Sequence, residues 1–361
     1  MGNDIPKYLE LVNWIQEQIR DKKLVPGQKM YSENMLSDMF GVSRQTVRHA
    51  ISVLEHDGII RRIQGSGTYL NDDRLADLAR RKRVSVITTY VDSYIFPKTI
   101  QGMEDTFQRE GYSVQLAFTN NQNIKERAIL EELIARDEVA GIIVEPTKSG
   151  LPNPNMALYQ EIRKRRIPTL FINSYYPQLK IPHVSMNDRM AGRKLTKHLI
   201  SMGHRRIGGI FKHDDGQGRL RYAGYLDALM DAGICVDDAQ IVWIDTEDVK
   251  HLDRLSVKIQ ECFSDCTAVL CYNDEVAVGL LDVLRGVGIQ VPGDISVVGV
   301  DDSDLSVMGN VKITSARHPM ERLGMRAAEN LLHMMKEPSF DGNYEFDAEI
   351  MYRDSVKKIL K

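Results

Sequence analysis

Two sets of polar residues in this 361-residue chain have types and spacings that can do chemistry. The first is compressed into the stretch from Ser32 to Leu70. Arg44, Gln45 and Arg48 cluster on the first turns of a helical pattern whose inward stripe is Val47, Ala50, Ile51 and Leu54. An Arg guanidinium matches guanine O6 and N7, and a Gln amide matches adenine N6 and N7. Ser43 stands where a helix N-cap is needed, with Thr46 three residues on. The run Arg61-Arg62-Ile63-Gln64-Gly65-Ser66-Gly67-Thr68 is basic with a small, glycine-rich tip suited to phosphates or a minor groove. The second set sits at the ends of short apolar runs. It comprises Glu145, Asn173, Lys212, Asn273 and Asp301, and His318 is a further candidate. Carboxylates and amides accept from and donate to the hydroxyls of a polyol. Tyr90, Tyr94, Phe96 and Tyr176 follow apolar runs too, and an aromatic ring can cover the C–H face of a sugar.

The elements that must position these residues are legible as patterns. Ile5 to Ile19 repeats apolar residues at three and four, as an amphipathic helix does. Met35, Leu36, Met39 and Phe40 predict a second helix ended by Gly41, and the Ser43 helix follows. Ile59 to Ile63 and Thr68 to Leu70 read as a hairpin around Gly65-Ser66-Gly67. Two helices around a tight turn, the second bearing Arg and Gln and followed by a basic hairpin, predict a winged helix-turn-helix over residues 1–70. Residues 71–83 form a charged linker ending in Arg80-Arg81-Lys82-Arg83, either a further phosphate contact or a solvated connector. From Val84 short apolar runs alternate with amphipathic stretches. This predicts an α/β domain, residues 84–361, of two doubly wound parallel sheets, the second set opening near His183. Ligands in such folds lie beyond the carboxyl ends of strands, which puts the second polar set in a cleft between two lobes.

Composition narrows the function. Net charge is −3, but residues 1–83 carry 14 Lys and Arg against 11 Asp and Glu, and the remainder 33 against 39. The basic excess lies with the proposed DNA-binding head. Cys235, Cys262, Cys266 and Cys271 fit no common zinc spacing and read as small buried residues in a reducing compartment. The first ten residues have no apolar core of a signal peptide, and no apolar run approaches a membrane span, so a cytoplasmic protein is expected. Asp301, Asp302, Asp304 and Glu145 could form an acid–base pair or metal site, but no phosphate loop, nucleophile elbow or HExxH helix accompanies them. No enzyme, no metal and no cofactor is expected.

The head resembles the GntR family of bacterial repressors. The motif residues are Pro26, Ser32-Glu33, Ser43-Arg44-Gln45-Thr46-Val47-Arg48 and Gln64-Gly65-Ser66-Gly67-Thr68. The resemblance implies contacts with double-stranded operator DNA from Lys7, Glu33, Ser43, Arg44, Gln45, Thr46, Arg48, Gln64, Gly65, Ser66 and Gly67. Residues 84–361 resemble the LacI/GalR repressors and the periplasmic-binding-protein-like sugar binders. The resemblance lies in Arg219-Leu-Arg221-Tyr-Ala-Gly224, Cys271-Tyr-Asn273-Asp274-Glu275 and Ile295-Ser-Val-Val-Gly-Val-Asp301-Asp302. It assigns Arg221, Asn273 and Asp301 to ligand hydroxyls. A GntR head on a LacI body, with Thr88-Thr-Tyr90, Tyr94-Ile-Phe96-Pro97 and Val144-Glu-Pro-Thr-Lys148, is similar to the repressors of arabinose utilisation. The resemblance implies an effector sugar, L-arabinose or, as the alternative, another pentose or a sugar phosphate, and a homodimer that leaves its operator when the sugar binds. Helix Pro97 to Gln108 is the expected dimer surface.

Overall fold

The computed structural model describes residues 7–21, 23–56, 58–63, 65–71, 82–91, 94–136 and 139–359. Ile5, Gln64 and the linker residues Arg80 and Arg81 lie outside them. The chain divides into two compact units, residues 1–82 and 83–361.

In the first unit, α1 (Lys7–Arg20), α2 (Glu33–Phe40) and α3 (Arg44–His56) precede a hairpin of β1 (Ile60–Ile63) and β2 (Gly67–Leu70). Leu11 and Ile15 from α1, Leu36 from α2, and Val47, Ala50, Ile51 and Leu54 from α3 close one core with Ile60 and Leu70. Helical periodicity brings these side chains to a common face, and their burial is what makes helices this short stable. Ser43 caps α3, its Oγ accepting from the Thr46 amide at 3.2 Å. Gly41 ends α2 at φ 61°, a left-handed turn that glycine takes at little cost. Only Leu36 of the four apolar residues in the α2 pattern is fully buried. Met35 and Met39 stay about half exposed, because an eight-residue helix offers the core one narrow stripe. A further backbone pairing is absent from the sequence reading. Lys29 bridges Tyr69, the Met30 amide donates to Thr68 O at 2.7 Å, and Leu70 N donates to Gln28 O at 2.8 Å.

The second unit has two six-stranded sheets. In the first, β3 (Arg83–Thr88), β4 (Ser113–Phe118), β5 (Gly141–Val144), β6 (Thr169–Ile172), β7 (His183–Met186) and β13 (Tyr344–Phe346) lie in the order β13-β7-β6-β5-β3-β4, all parallel. The second contains β8 (Ile207–Lys212), β9 (Ile241–Ile244), β10 (Ala268–Cys271), β11 (Ser296–Asp301), β12 (Thr314–Arg317) and β14 (Glu349–Met351). Its order is β14-β12-β11-β10-β8-β9, with β14 antiparallel. Every residue of β5, β6, β8 and β11 is buried, as parallel strands covered on both faces require.

The chain passes between lobes three times, after β7, after β12 and after β13. β7 pairs with β6 through Phe171 and His183, so it belongs to the first lobe and does not open the second. Helix Met320–Lys336 returns to the first lobe, where Leu323, Ala327 and Leu331 join Val84, Met103 and Phe107 in one core. It covers one side of helix Phe96–Arg109, the expected dimer surface, leaving Lys98, Gln101, Asp105 and Gln108 outward. In the second lobe, helices Asp188–Ser201 and Gly216–Asp231 approach so closely that a Cβ on Gly192 would lie 2.1 Å from Arg221 O. That approach sets the depth at which Arg221 is held. Among the described residues no helix is long and apolar enough to cross a membrane.

Candidate functional site

The head presents one polar face. Arg44, Gln45 and Arg48 are exposed on α3, opposite its buried stripe, and Gly65, Ser66 and Gly67 are exposed at the hairpin tip. Arg48 Nε donates to Glu33 Oε2 at 2.9 Å, so Glu33 orients an arginine whose terminal nitrogens stay outward. Ser43 Oγ lies 2.9 Å from Thr46 Oγ1, which commits both hydroxyls to the cap. Lys7 is exposed at the start of α1, and its neighbour Tyr8 packs edge-on against His49 of α3 at 4.5 Å. This brings the first helix to the flank of the Arg-bearing turns. Ser66 Oγ and Tyr69 Oη lie 2.6 Å apart and brace the hairpin tip.

In the second unit a cleft of about 420 Å³ lies between the lobes. Of the residues expected there, Tyr90, Tyr94, Phe96, Glu145, Lys212, Arg221, Asn273 and Asp301 line it. Arg221, buried, is the hub. Its Nε donates to Asp188 Oδ1 at 2.8 Å, one terminal nitrogen to Tyr272 O at 2.7 Å, and the other to Asp301 Oδ1 at 3.3 Å. Asp301 Oδ2 accepts from the Tyr94 hydroxyl of the other lobe at 2.7 Å. Lys212 Nζ lies 3.0 Å from Asp215 Oδ2 and 3.3 Å from Asp214 Oδ1. Asn273 caps helix Asp274–Gly286, its Oδ1 accepting from Val276 N at 2.9 Å. Lys250 Nζ sits over the Tyr90 ring, 5.3 Å from its centroid.

Two expected ligand residues stand behind the lining. Asn173 Nδ2 donates to Glu145 Oε1 at 2.9 Å, and Asn173 Oδ1 lies 3.2 Å from His318 Nε2. His318 occupies the chain crossing after β12, so a cleft-lining carboxylate is joined to the hinge by two hydrogen bonds. Burial pushes the His318 imidazole down to about 4 and keeps it neutral near pH 7. Tyr176 is also withdrawn, buried against Tyr159 and Phe171 with its hydroxyl on Thr147 O at 2.7 Å. Asp302 turns away from the cleft to Arg317, at 2.8 Å, and to Arg353. The residues that sequence reasoning missed include Asn121, Ser149, Ser174, Asp215, Thr246, Lys250, Tyr272 and Glu275. Tyr272 and Glu275 fall inside the run Cys271-Tyr-Asn273-Asp274-Glu275 already singled out, and Asp215 stands three residues after Lys212, but nothing in the residue types says which member faces inward.

The lobes touch across the cleft. Gly216 N donates to Ser149 Oγ at 2.9 Å, Arg219 to Gly150 O at 2.6 Å, and Asn121 Nδ2 to Thr246 Oγ1 at 2.5 Å. Gly150 packs so tightly that a Cβ there would lie 2.5 Å from His213 O. The structure therefore describes a closed cleft.

Burial and charge set the protonation of the site. Burial would raise Asp215, but the Lys212 ammonium, the Tyr272 hydroxyl and the Gly218 amide outweigh it and hold its carboxyl below the usual range. Two carboxylates share the Arg221 guanidinium, and burial pushes Asp188 up to about 6. Burial, with the Asp301 charge beside it, pushes Asp274 up to about 7, against bonds from Ser315 and Ser303. An unfolded Asp titrates near ~3.9, so between that value and 7 the folded state holds a proton the unfolded chain has lost. Stability is thus expected to fall as pH rises through this window, with the penalty complete above it. Denaturant unfolding at pH 5.5 should exceed that at pH 8 by about 2 kcal/mol from Asp274 alone. Asp274→Asn should remove that gain; an unchanged pH slope in the variant would contradict the assignment.

Residues 7–70 match the bacterial regulatory proteins of the gntR family, and residues 196–356 match the periplasmic binding protein-like domain. The chain is 39% identical over 360 residues to the arabinose metabolism transcriptional repressor of Geobacillus stearothermophilus, spanning 98% of this chain and 99% of that one. It is 39% identical over 354 residues to the protein of the same name from Halalkalibacterium halodurans, spanning 95% and 94%. The transcription regulator CcpA of Lactococcus lactis shares the fold with a TM-score of 0.69 and 26% identity, over 76% of this chain and 99% of that one. A winged helix-turn-helix head on a two-lobed, periplasmic-binding-protein-like body defines a class of ligand-responsive transcription regulators. Within that class the chain belongs to the family of transcriptional repressors represented by these two 39% identical relatives.

Proposed function

We propose that this repressor binds operator DNA as a homodimer and releases it when L-arabinose occupies the cleft. The charge balance of the cleft carries the choice of a free, uncharged sugar. Glu145, Asp215, Glu275, Asp301 and Asp304 line it, against Lys212, Arg221 and Lys250. Lys212 is already spent on Asp214 and Asp215, and Arg221 on Asp188 and Asp301. A phosphate would meet an excess of carboxylates with two of the three lining cations already engaged, whereas hydroxyls can donate to those same oxygens. The carboxylates, Asn273 and the remaining guanidinium protons suit a polyol ring, with Tyr90 and Phe96 beside it. The identity of the sugar is supported by the names of the two 39% identical relatives.

Two heads on a symmetric dimer sit in successive major grooves, about one helical turn or a multiple of it apart. A sugar that favours one lobe arrangement changes head spacing, with coupling of ~1–3 kcal/mol typical of such devices. Calorimetric titration with free and phosphorylated pentoses and hexoses tests the ligand, and operator gel shifts with the binder give the sign. Binding of sugar phosphates alone would overturn this reading. Arg44→Ala and Arg48→Ala should each weaken operator binding by ~1–3 kcal/mol; wild-type affinity in both would reject α3 as the reading helix.

A further inference from the structure

We propose that Glu126, which lies outside the cleft, is a positioning residue for sugar binding: it pins both feet of an arch, residues 147–155, whose crest forms part of the cleft wall and docks on the opposite lobe. The proposal rests on the reading of the cleft as a sugar site.

Glu126 is fully buried in the first turn of helix Asn123–Arg136. A buried carboxylate is costly unless its lone pairs are met. Here neutral donors from three parts of the chain meet them. Oε1 accepts from Tyr159 Oη at 2.8 Å, Tyr176 Oη at 3.0 Å and Thr147 N at 3.3 Å. Oε2 accepts from Asn153 Nδ2 at 2.8 Å and Asn155 Nδ2 at 2.7 Å. Thr147 is one foot of the arch, and Asn153 and Asn155 are the other. Tyr176 reinforces the first foot through Thr147 O.

The crest between these feet has little packing of its own, and Leu151 there is exposed. Its contacts run to the other lobe and to the cleft wall. Ser149 Oγ takes the Gly216 amide and donates to Ser174 Oγ at 2.9 Å, and both serines line the cleft. Gly150 N donates to Asp214 O at 3.3 Å, and its carbonyl takes Arg219. Arch height, set at the feet by one carboxylate, therefore decides whether the crest meets the start of helix Gly216–Asp231. Glu126→Gln keeps the volume but turns one acceptor into a donor facing other donors.

The test is calorimetric titration of L-arabinose into the full-length wild type, E126Q, S149A and the double variant, with operator affinity measured without sugar. E126Q is expected to weaken sugar binding about tenfold, and S149A by a similar or smaller factor. The double variant should be little weaker than E126Q alone, because both act through one arch. Operator affinity without sugar should stay within about twofold, a split that general destabilisation does not produce. Wild-type sugar affinity in E126Q, or fully additive losses, would overturn the proposal. Should E126Q fail to fold, Tyr176→Phe removes the one hydroxyl proton shared between the Glu126 carboxylate and Thr147 O, and wild-type affinity in that variant is equally fatal. If the wild type itself binds no L-arabinose, the sugar reading fails, and the arch is judged separately. Hydrogen exchange over residues 147–155 must accelerate in E126Q, or in Tyr176→Phe, and unchanged protection overturns it.

Discussion

Arg221→Ala is expected to destabilise the second unit by roughly 3–5 kcal/mol and to abolish sugar binding. Arg221 is 1% exposed and stands between Asp188 and Asp301, each buried as deeply. Removing the guanidinium leaves two carboxylates without a counter-charge, exposes the Tyr272 carbonyl to an empty space and frees Asp301 from one of its two restraints. Asp188 can relieve part of this by taking up a proton, so the loss should be smaller at pH 5.5 than at pH 8. Asp188 is already pushed up to about 6 by burial with the arginine present. Denaturant unfolding of the full-length variant at both pH values measures this. A loss below about 1 kcal/mol, or one that grows on acidification, would show that the triad is not the electrostatic centre of the lobe.

Gly150→Val is expected to do the reverse: to spare the fold and disable the switch. The Gly150 backbone does not occupy the left-handed region, so a side chain strains nothing within its own lobe. An added Cβ would lie 2.5 Å from His213 O, 2.7 Å from Asp215 O and 2.8 Å from Asp215 N. These are main-chain atoms at the end of β8 and the start of a helix, which cannot rotate aside as a side chain would. The clash exists only when the lobes are shut. Overpacking costs ~1–3 kcal/mol, and a penalty on the binding-competent state lowers apparent affinity by the same factor. Sugar affinity should thus fall about tenfold to a hundredfold while the melting temperature without sugar is held. The repressor should stay on its operator at sugar concentrations that release the wild type. Release at the wild-type concentration would mean that closure at this contact is not part of the response.

The amino-acid sequence by itself determined the local features. Helical periodicity, the Ser43 cap, the Gly41 stop and the hairpin turn each act within a few residues, so α1 to α3 and the hairpin are legible in order. The strand–helix rhythm after Val84 likewise specifies parallel sheets with polar groups at strand ends, and eight of the expected ligand residues do line the cleft. What only the tertiary structure decided is which neighbour each element meets. Strand β7 joins the first sheet, and helix Met320–Lys336 crosses back to cover it, because pairing energy depends on partners distant in the chain. The same holds for side-chain direction at a strand end. Asp301 faces Arg221 and Tyr94, while Asp302, one residue on, faces Arg317 and Arg353. Asn173 and His318 lie one layer behind the cleft, and Tyr176 turns its hydroxyl to a buried carboxylate. Their residue types suit a sugar site or a buried network equally well. Only the positions of Glu145, Glu126 and the hinge, set by long-range packing, separate the two uses.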